Sequence, residues 1–296
     1  MIAVEEIKIS QHDLLKVIHQ ELIDLPPLPA VVLQVMQTIN DPKTSAADLN
    51  KMISMEPALS AKILRLVNSA HYGFGAYVST ITHAIVILGF ECVRNLVTAL
   101  GVASQFKPNG RHLLDRNQFW AHSAATALAA DVIARRRKLN PKACEEVFVG
   151  GLLHDIGKLF LDQYFAKQYN IAVQLASAGQ VGILRAEVTA LGLDHASVGK
   201  RIAEKWRLPP TPISMIALHH EPRTATEYFE YAATVHAADI VVKQLNLGSS
   251  GDNIVPILDA KVERWLSFTP QIWELVHAET LEKFAKANEF VSVLTG

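Results

Sequence analysis

The chain has 296 residues, 50% of them apolar or aromatic and 19% charged, a composition that supports a substantial core and excludes disorder as the main state. Its 28 basic and 29 acidic residues nearly cancel, the pI lies near 6.9, and no basic stripe stands out, which argues against direct nucleic-acid binding. The length suits one large domain or two small ones.

Met1 to Ser10 carries Glu5 and Glu6 where a secretory signal needs basic residues, and no long apolar region follows. The longest charge-free stretch, Leu66 to Phe90, contains Asn68, Ser69, His71 and His83 and is too polar to cross a bilayer. Cys92 and Cys144 form no CxxC pair and read as buried free thiols in a reducing compartment. A soluble, cytoplasmic protein without membrane contact is expected.

The punctuation predicts an all-α chain. Ser45 to Asp48 reads as a capping box ahead of Leu49, Met52 and Ile53. Pro57 takes a first helical position before Leu59, Ile63 and Leu66. Ser79 or Thr80 caps a helix over Ile81 to Leu88, which Gly89 ends. The alanine-rich stretch Ala121 to Ala134 favours helix. Asn140-Pro141 starts another helix, running through Val147 to Leu161. Pro256 to Leu266 and Pro270 to Val293 read as two closing helices. Lys107 to His112 separates two helical blocks, and Asn246 to Asn253 is the most linker-like stretch. The expected organisation is a lead-in helix over 1–24, a first helical subdomain over 25–110, a second over 111–245 and a helical extension over 246–296. The Asn68 to Gly75 turn either packs between the subdomains or offers its rings and backbone to a partner.

The sharpest local signal is Gly150-Gly-Leu-Leu-His154-Asp155-Ile-Gly-Lys158. On one helix His154 and Asp155 point to neighbouring directions, and Lys158 follows His154 by one turn. An imidazole, a carboxylate able to bridge two cations and an ammonium suit a metal site that handles phosphate. The plainer alternative is a polar helix edge, against which stand the flanking Leu152, Leu153, Ile156 and Leu159. His122, His195, His219, His220 and Asp239 also fall in apolar helical sequence. Each alone reads as a satisfied core or helix-end residue, but one metal explains all of this buried polarity at once. His236 either orients Asp239 or lies on a helix surface. His12, His19, His112 and His277 read as exposed, and His71 and His83 as structural. Arg135 to Lys138 closes a long helix, where cations complement the dipole.

The order His122, His154-Asp155, His195, His219-His220, Asp239 resembles the HD superfamily of metal-dependent phosphohydrolases. Leu25-Pro-Pro-Leu-Pro29, Glu56-Pro57-Ala-Leu59, Ile63 to Ala70, Gly192-Leu-Asp-His195 and Trp206-Arg-Leu-Pro209 narrow the resemblance to the HDOD domain. It implies an N-terminal helical subdomain packed on an HD-type helical bundle, and a role in bacterial signalling or regulation. Many HDOD domains have lost HD metal positions, whereas this chain keeps a His or Asp at all seven. The glycine-tyrosine-proline signature of the HD-GYP relatives, which hydrolyse cyclic diguanylate, is missing after His219-His220. Glu56 stands where the family usually has Asp.

Two functions follow. The first is a regulatory protein that retains an HD-type metal site and answers to a signalling protein or a small phosphorylated or nucleotide ligand. Residues 1–24 are too few for a receiver or kinase domain, so the input comes from elsewhere. The second is a metal-dependent phosphohydrolase or phosphodiesterase with Asp155 and Lys158 as catalytic residues. There His122, His154, Asp155 and Asp239 would hold one cation, and Asp155 would bridge to a second held by His195 and His219 or His220. Lys158 would neutralise phosphate oxygens. A third reading is a purely structural metal that locks the helices together. The donors fit one or two divalent ions of iron, manganese, zinc or nickel, and exclude a thiolate zinc site.

Overall fold

Short polar residues and prolines mark where the helices start. The computed structural model describes residues 11–38, 44–69, 72, 77–106, 113–178, 181–252 and 254–295, and among these there is no β-strand. Helices α1 (Gln11–Asp24) and α2 (Ala30–Gln37) flank the proline-rich Leu25 to Pro29. Helix α3 (Ala46–Ser54) carries the expected capping box, Ser45 accepting from Asp48 N and Asp48 from Ser45 N. Helix α4 (Pro57–Val67) has proline in its first turn. Helix α5 (Ile81–Leu88) is capped by the Thr80 hydroxyl, and at Gly89 the chain bends by 120° into α6 (Phe90–Ala103). No described helix is by itself long and apolar enough to cross a membrane.

The second half runs α7 (Arg116–Arg136), α8 (Pro141–Leu153), α9 (Ile156–Tyr164), α10 (Ala166–Ser177), α11 (Ile183–Leu191), α12 (His195–Lys205), α13 (Pro210–Leu218) and α14 (Phe229–Gln244). Helices α15 (Ala260–Leu266), α16 (Pro270–Ala285) and α17 (Asn288–Thr295) close the chain. Asp115, Asn140 and Asp194 cap α7, α8 and α12 through their side chains, which satisfies backbone donors that a helix start leaves free.

The structure departs from the sequence expectations in three places. The helix predicted through Val147 to Leu161 breaks at His154-Asp155, where Asp155 takes φ −100° and ψ 12°. Beyond the break Gly157 leaves no room for a β-carbon, which would collide with the His195 carbonyl. The break thus lets α9 lie directly on α12. The penultimate segment becomes helical only at Ala260, capped by Asp259. The last predicted helix divides after Ala285, and α17 turns so that Phe290 meets Phe148 with ring centroids 5.6 Å apart. The Lys107 to His112 connector and most of the Asn68 to Gly75 turn lie outside the described residues. Tyr72 is described, and it packs on the core with its hydroxyl 3.9 Å from Cys92 Sγ.

An apolar core runs from α1 to α6 without interruption into α7 to α13 and α17, so the N-terminal helical subdomain packs on an HD-type helical bundle. Phe106 and Trp206 join the two halves at 5.8 Å, and Trp206 Nε1 donates to Pro26 O at 2.9 Å. A second core is rich in alanine: Ala125, Ala129 and Ala130 of α7 face Ala233, Ala237 and Ala238 of α14. Small side chains on both sides let those helix axes approach closely. Beyond complementing the dipole, the Arg135 to Arg137 run fastens α16 and α15. Arg135 and Lys283 share buried Asp131, Arg136 pairs with Glu279 at 2.9 Å, and Arg137 lies 4.9 Å from the Trp265 ring centroid.

Candidate metal centre

Seven residues, three within helices and four at helix ends or just beyond them, gather around one buried carboxylate. His122 comes from the middle of α7, His154 and Asp155 from the α8–α9 break, and His195 from the first turn of α12. His219 caps the end of α13, His220 follows it, and Asp239 comes from α14. Because Asp155 has left helical geometry without capping α9 through its side chain, its carboxylate is free to face the other donors.

Asp155 is the hub. Its Oδ1 lies 3.0 Å from His195 Nε2 and 3.6 Å from His219 Nε2. Its Oδ2 lies 3.3 Å from His154 Nε2 and accepts from Lys158 Nζ at 2.8 Å. Around it, His195 Nε2 sits 3.4 Å from His219 Nε2 and 2.9 Å from His220 Nε2. On the far side His122 Nε2 is 3.0 Å from Asp239 Oδ1, and the His122 and His154 ring centroids are 5.5 Å apart. Two donor sets result, each with ligand atoms within 4.8 Å of one another: Asp155, His195, His219 and His220, and His122, His154 and Asp155. The carboxylate of Asp155 belongs to both.

The outer ring nitrogens fix the tautomers. His154 Nδ1 lies 2.7 Å from Gly151 O, and His219 Nδ1 lies 2.9 Å from Ile216 O. A carbonyl only accepts, so each Nδ1 carries a proton and each Nε2 faces the centre. His195 Nδ1 instead meets the Glu187 carboxylate at 2.6 Å, and Glu187 also accepts from His195 N at 2.9 Å.

Electrostatics set the same groups apart. Burial opposes ionisation of Asp155, yet His154, Lys158 and His195 hold its carboxyl well below the usual range. Asp239 is likewise held well below it by Lys243 and His122 against the cost of burial. Burial lowers His219 to about 4 and pushes His122 and His220 down too. His195 goes the other way: burial alone would lower it, but Glu187 and Asp155 raise it to about 9.

The donor chemistry fits a divalent cation. His122 Nε2, His154 Nε2, Asp155 Oδ1 and Asp239 Oδ1 are buried without a hydrogen bond of acceptable geometry, a costly state that a shared cation relieves. Imidazole nitrogens and carboxylate oxygens suit iron, manganese, zinc or nickel. Neither Cys92 nor Cys144 belongs to either donor set.

Lys158, expected to neutralise phosphate oxygens, comes from the first turn of α9. It is fully buried and gives its ammonium to Asp155 Oδ2 and, at 3.1 Å, to Ser250 Oγ. His236 is neither on the surface nor bonded to Asp239. Its Nδ1 lies 2.7 Å from His219 O, and its Nε2 accepts from Asp259 N. His277, expected to be exposed, is half-buried between Trp273 O and Gln244 Oε1, while His12 and His19 are exposed.

Four residues of the centre escaped the sequence reading. Glu187 shares the buried face of α11 with Ile183, Ala186 and Leu191, a spacing that flags a carboxylate among core positions. Lys243 follows Asp239 by one turn and pairs with its Oδ2 at 3.3 Å. Ser250 and Asp252 are buried side chains in the stretch read as a linker, whose described residues form a partly buried strap. Asp252 Oδ1 pairs with Lys243 at 3.5 Å, Asp252 Oδ2 accepts from Ile183 N at 2.8 Å, and Ser249 N donates to Gln118 O. Glycine and serine composition alone carried no sign of this.

An all-helical bundle with this convergence of His and Asp is of the HD type. The HDOD domain family matches residues 25–222, and the chain belongs to that family. Solved structures agree over nearly the whole chain. An HDOD domain protein of unknown function from Geobacter sulfurreducens is 24% identical with a TM-score of 0.71, covering 96% of this chain and 97% of its own. A candidate phosphohydrolase from Shewanella amazonensis SB2B is 26% identical with a TM-score of 0.69, covering 94% and 96%. A candidate signal transduction protein from Marinobacter aquaeolei VT8 shares the fold at 19% identity and a TM-score of 0.78, covering 97% of this chain and 66% of its own. An uncharacterized protein of Treponema pallidum (strain Nichols) is 24% identical over 242 residues, 81% of this chain and 46% of the relative. The chain thus spans about half the length of that curated relative.

Proposed function

We propose that this chain is a regulatory HDOD protein of bacterial signal transduction, acting in the cytoplasm through a protein partner or a small phosphorylated ligand, and that His122, His154, Asp155, His195, His219, His220 and Asp239 hold one or two divalent transition-metal ions. The observation that carries the metal reading is the sharing of Asp155 between two donor sets, with Asp155 Oδ1, His122 Nε2 and His154 Nε2 buried and without a hydrogen bond. A bound divalent ion supplies Lewis acidity and charge neutralisation. The residues do the rest: Glu187 holds His195 with its Nε2 inward, Lys158, itself bonded to Ser250, holds Asp155, and Lys243 holds Asp239.

Burial favours regulation over turnover. His154, His195 and Lys158 have no exposed surface and Asp155 has 1%, whereas hydrolysis needs a path for a phosphorylated substrate. Phosphohydrolysis is the second reading, supported by the likeness to the Shewanella candidate phosphohydrolase. In it Asp155 would act at the reacting centre. Lys158, already held by Asp155 and Ser250, would position that carboxylate rather than meet phosphate. Elemental analysis of the purified protein, followed by a screen of phosphate esters and cyclic dinucleotides, separates the two. Bound metal without turnover supports the regulatory reading. Turnover that is lost in Asp155→Ala would replace it with the enzymatic one, and absence of metal would remove both.

A further inference from the structure

Helices α12 and α13 form a hairpin whose open ends carry His195 and His219, and whose turn, Trp206 to Pro209, lies at the opposite end. Eleven residues of α12 place that turn about 16 Å from the histidine end. The turn is tied to the N-terminal subdomain twice, by Trp206 Nε1 to Pro26 O and by Lys205 Nζ to Ile23 O. Between the turn and α2 lies a groove of about 740 Å³. Its floor is apolar, built by Leu28, Met36, Trp206 and Leu208, and its rim carries the exposed cations Lys205 and Arg207.

Three observations specify the occupant. The floor asks for apolar side chains, and the volume is that of a site for a sizeable ligand. The rim asks for negative charge: among the described residues no carboxylate lines the groove, and the Arg207 guanidinium has neither a hydrogen bond nor an ion pair, only its backbone N donating, to Glu204 O. A second depression sharing Lys205 continues the same chemistry along α1 and α12, with Arg201 and His19 beside Ile23, which is 67% exposed. In a chain of net charge −1, this is a local concentration of cations around exposed apolar surface. An elongated face of that kind matches an amphipathic helix laid into a groove, apolar side down and acidic side against the rim. With so few cations and so much apolar floor, nucleic acid is a poor fit.

We propose that the groove at the α12–α13 turn docks an acidic amphipathic helix of a partner protein. The proposal rests on the regulatory reading for its purpose, and the hairpin gives the route: a partner seated on the turn bears on the helices that position His195 and His219.

The test uses the full-length protein and a fluorescently labelled synthetic helix of about four turns, with leucines along one face and glutamates on the others. A control peptide carries lysine at every glutamate. Anisotropy is expected to show salt-sensitive binding of the acidic peptide and not of the basic one. Arg207→Glu should weaken that binding at least tenfold with an unchanged melting temperature, since the side chain has no partner to lose. Leu33→Asp, on the apolar wall of α2, should weaken the binding too and serves as a second probe, with a lower melting temperature because Leu33 also packs on the core. Equal binding of both peptides, or unchanged affinity in Arg207→Glu, overturns the proposal. So does concentration-dependent self-association abolished by Arg207→Glu, which would give the groove to a second copy, or displacement of the peptide by a single-stranded oligonucleotide. Metal content is measured in parallel: a metal-free protein that binds the peptide refutes only the metal reading, and a metal-loaded one that ignores it refutes only the groove.

Discussion

The Glu187 carboxylate holds the His195 ring from behind, Oε2 lying 2.6 Å from Nδ1, with both side chains fully buried. A carboxylate behind a ligating imidazole fixes the ring and raises its basicity, and its loss typically weakens metal binding about 10–100-fold. Glu187→Ala should therefore raise the metal dissociation constant by roughly that factor, measured by competition with a chromophoric chelator. Glu187→Gln, which keeps an acceptor, should recover part of the loss. If both variants merely melted earlier while binding metal as tightly as the parent, Glu187 would be a packing residue only.

Asp155 is shared by both donor sets, so no other substitution should cost as much metal. Asp155→Ala should leave the purified protein without bound metal after gel filtration. His12→Ala, at an exposed position of α1, should retain the parental amount. Elemental analysis of the two proteins side by side decides the matter.

The sequence made the helices legible because its caps are local: Ser45, Thr80 and Asn140 each act within three residues of themselves. The seven His and Asp residues could be picked out because each interrupts an apolar helical run. What stayed hidden depends on distance in the chain. Ser250 meets Lys158 across 92 residues, and Asp252 reaches Ile183 across 69. Neither contact has a periodic signature, so a partly buried strap read as a linker. The break at His154-Asp155 was also invisible, because Gly157 marks the close approach of α12 rather than any local turn preference.

The metal-free protein should be most stable near pH 6.5. Burial depresses His219 to about 4 and lowers His122 and His220. These rings stay neutral when folded but take up protons when unfolded, so their contribution is complete above the unfolded value of about 6.5 and is lost as the pH falls below it. His195 has the opposite sign, being raised to about 9 against burial by Glu187 and Asp155. Its contribution is complete below about 6.5 and is lost as the pH rises toward 9. Each such group steepens its limb by up to about 1.4 kcal/mol per pH unit. Chemical denaturation of chelator-treated protein across this range checks the shape. A stability that rose steadily from pH 6.5 to pH 9 would contradict it.

Lys243 offers a test of the strap's electrostatics. Its ammonium lies 3.3 Å from Asp239 Oδ2 and 3.5 Å from Asp252 Oδ1, with all three groups buried. Replacing it by methionine keeps the stem but leaves two carboxylates without their cation, a change that typically costs about 3–5 kcal/mol. Lys243→Met should show that loss in urea unfolding of the metal-free protein. Added metal should restore part of it by neutralising Asp239. Stability equal to that of the parent in the metal-free state would mean that another group supplies the charge.

The strap's backbone should matter independently of its charges. Gly248 has φ +69°, and a β-carbon there would collide with the backbone of α7 at His122 N and Gln118 O. The α7 backbone cannot yield as a side chain can, so alanine at 248 must push the strap outward. Gly251 has φ +109° but faces nothing nearer than the Ile183 Cδ1 at 3.6 Å. Alanine at 251 therefore carries only the cost of a positive φ, about 1–2 kcal/mol, while alanine at 248 adds the collision. Gly248→Ala should melt below Gly251→Ala. It should also release metal faster into excess chelator, because the displaced segment bears on the His122 turn of α7. Equal melting temperatures and equal release rates would show that the strap lies on the centre without helping to hold it.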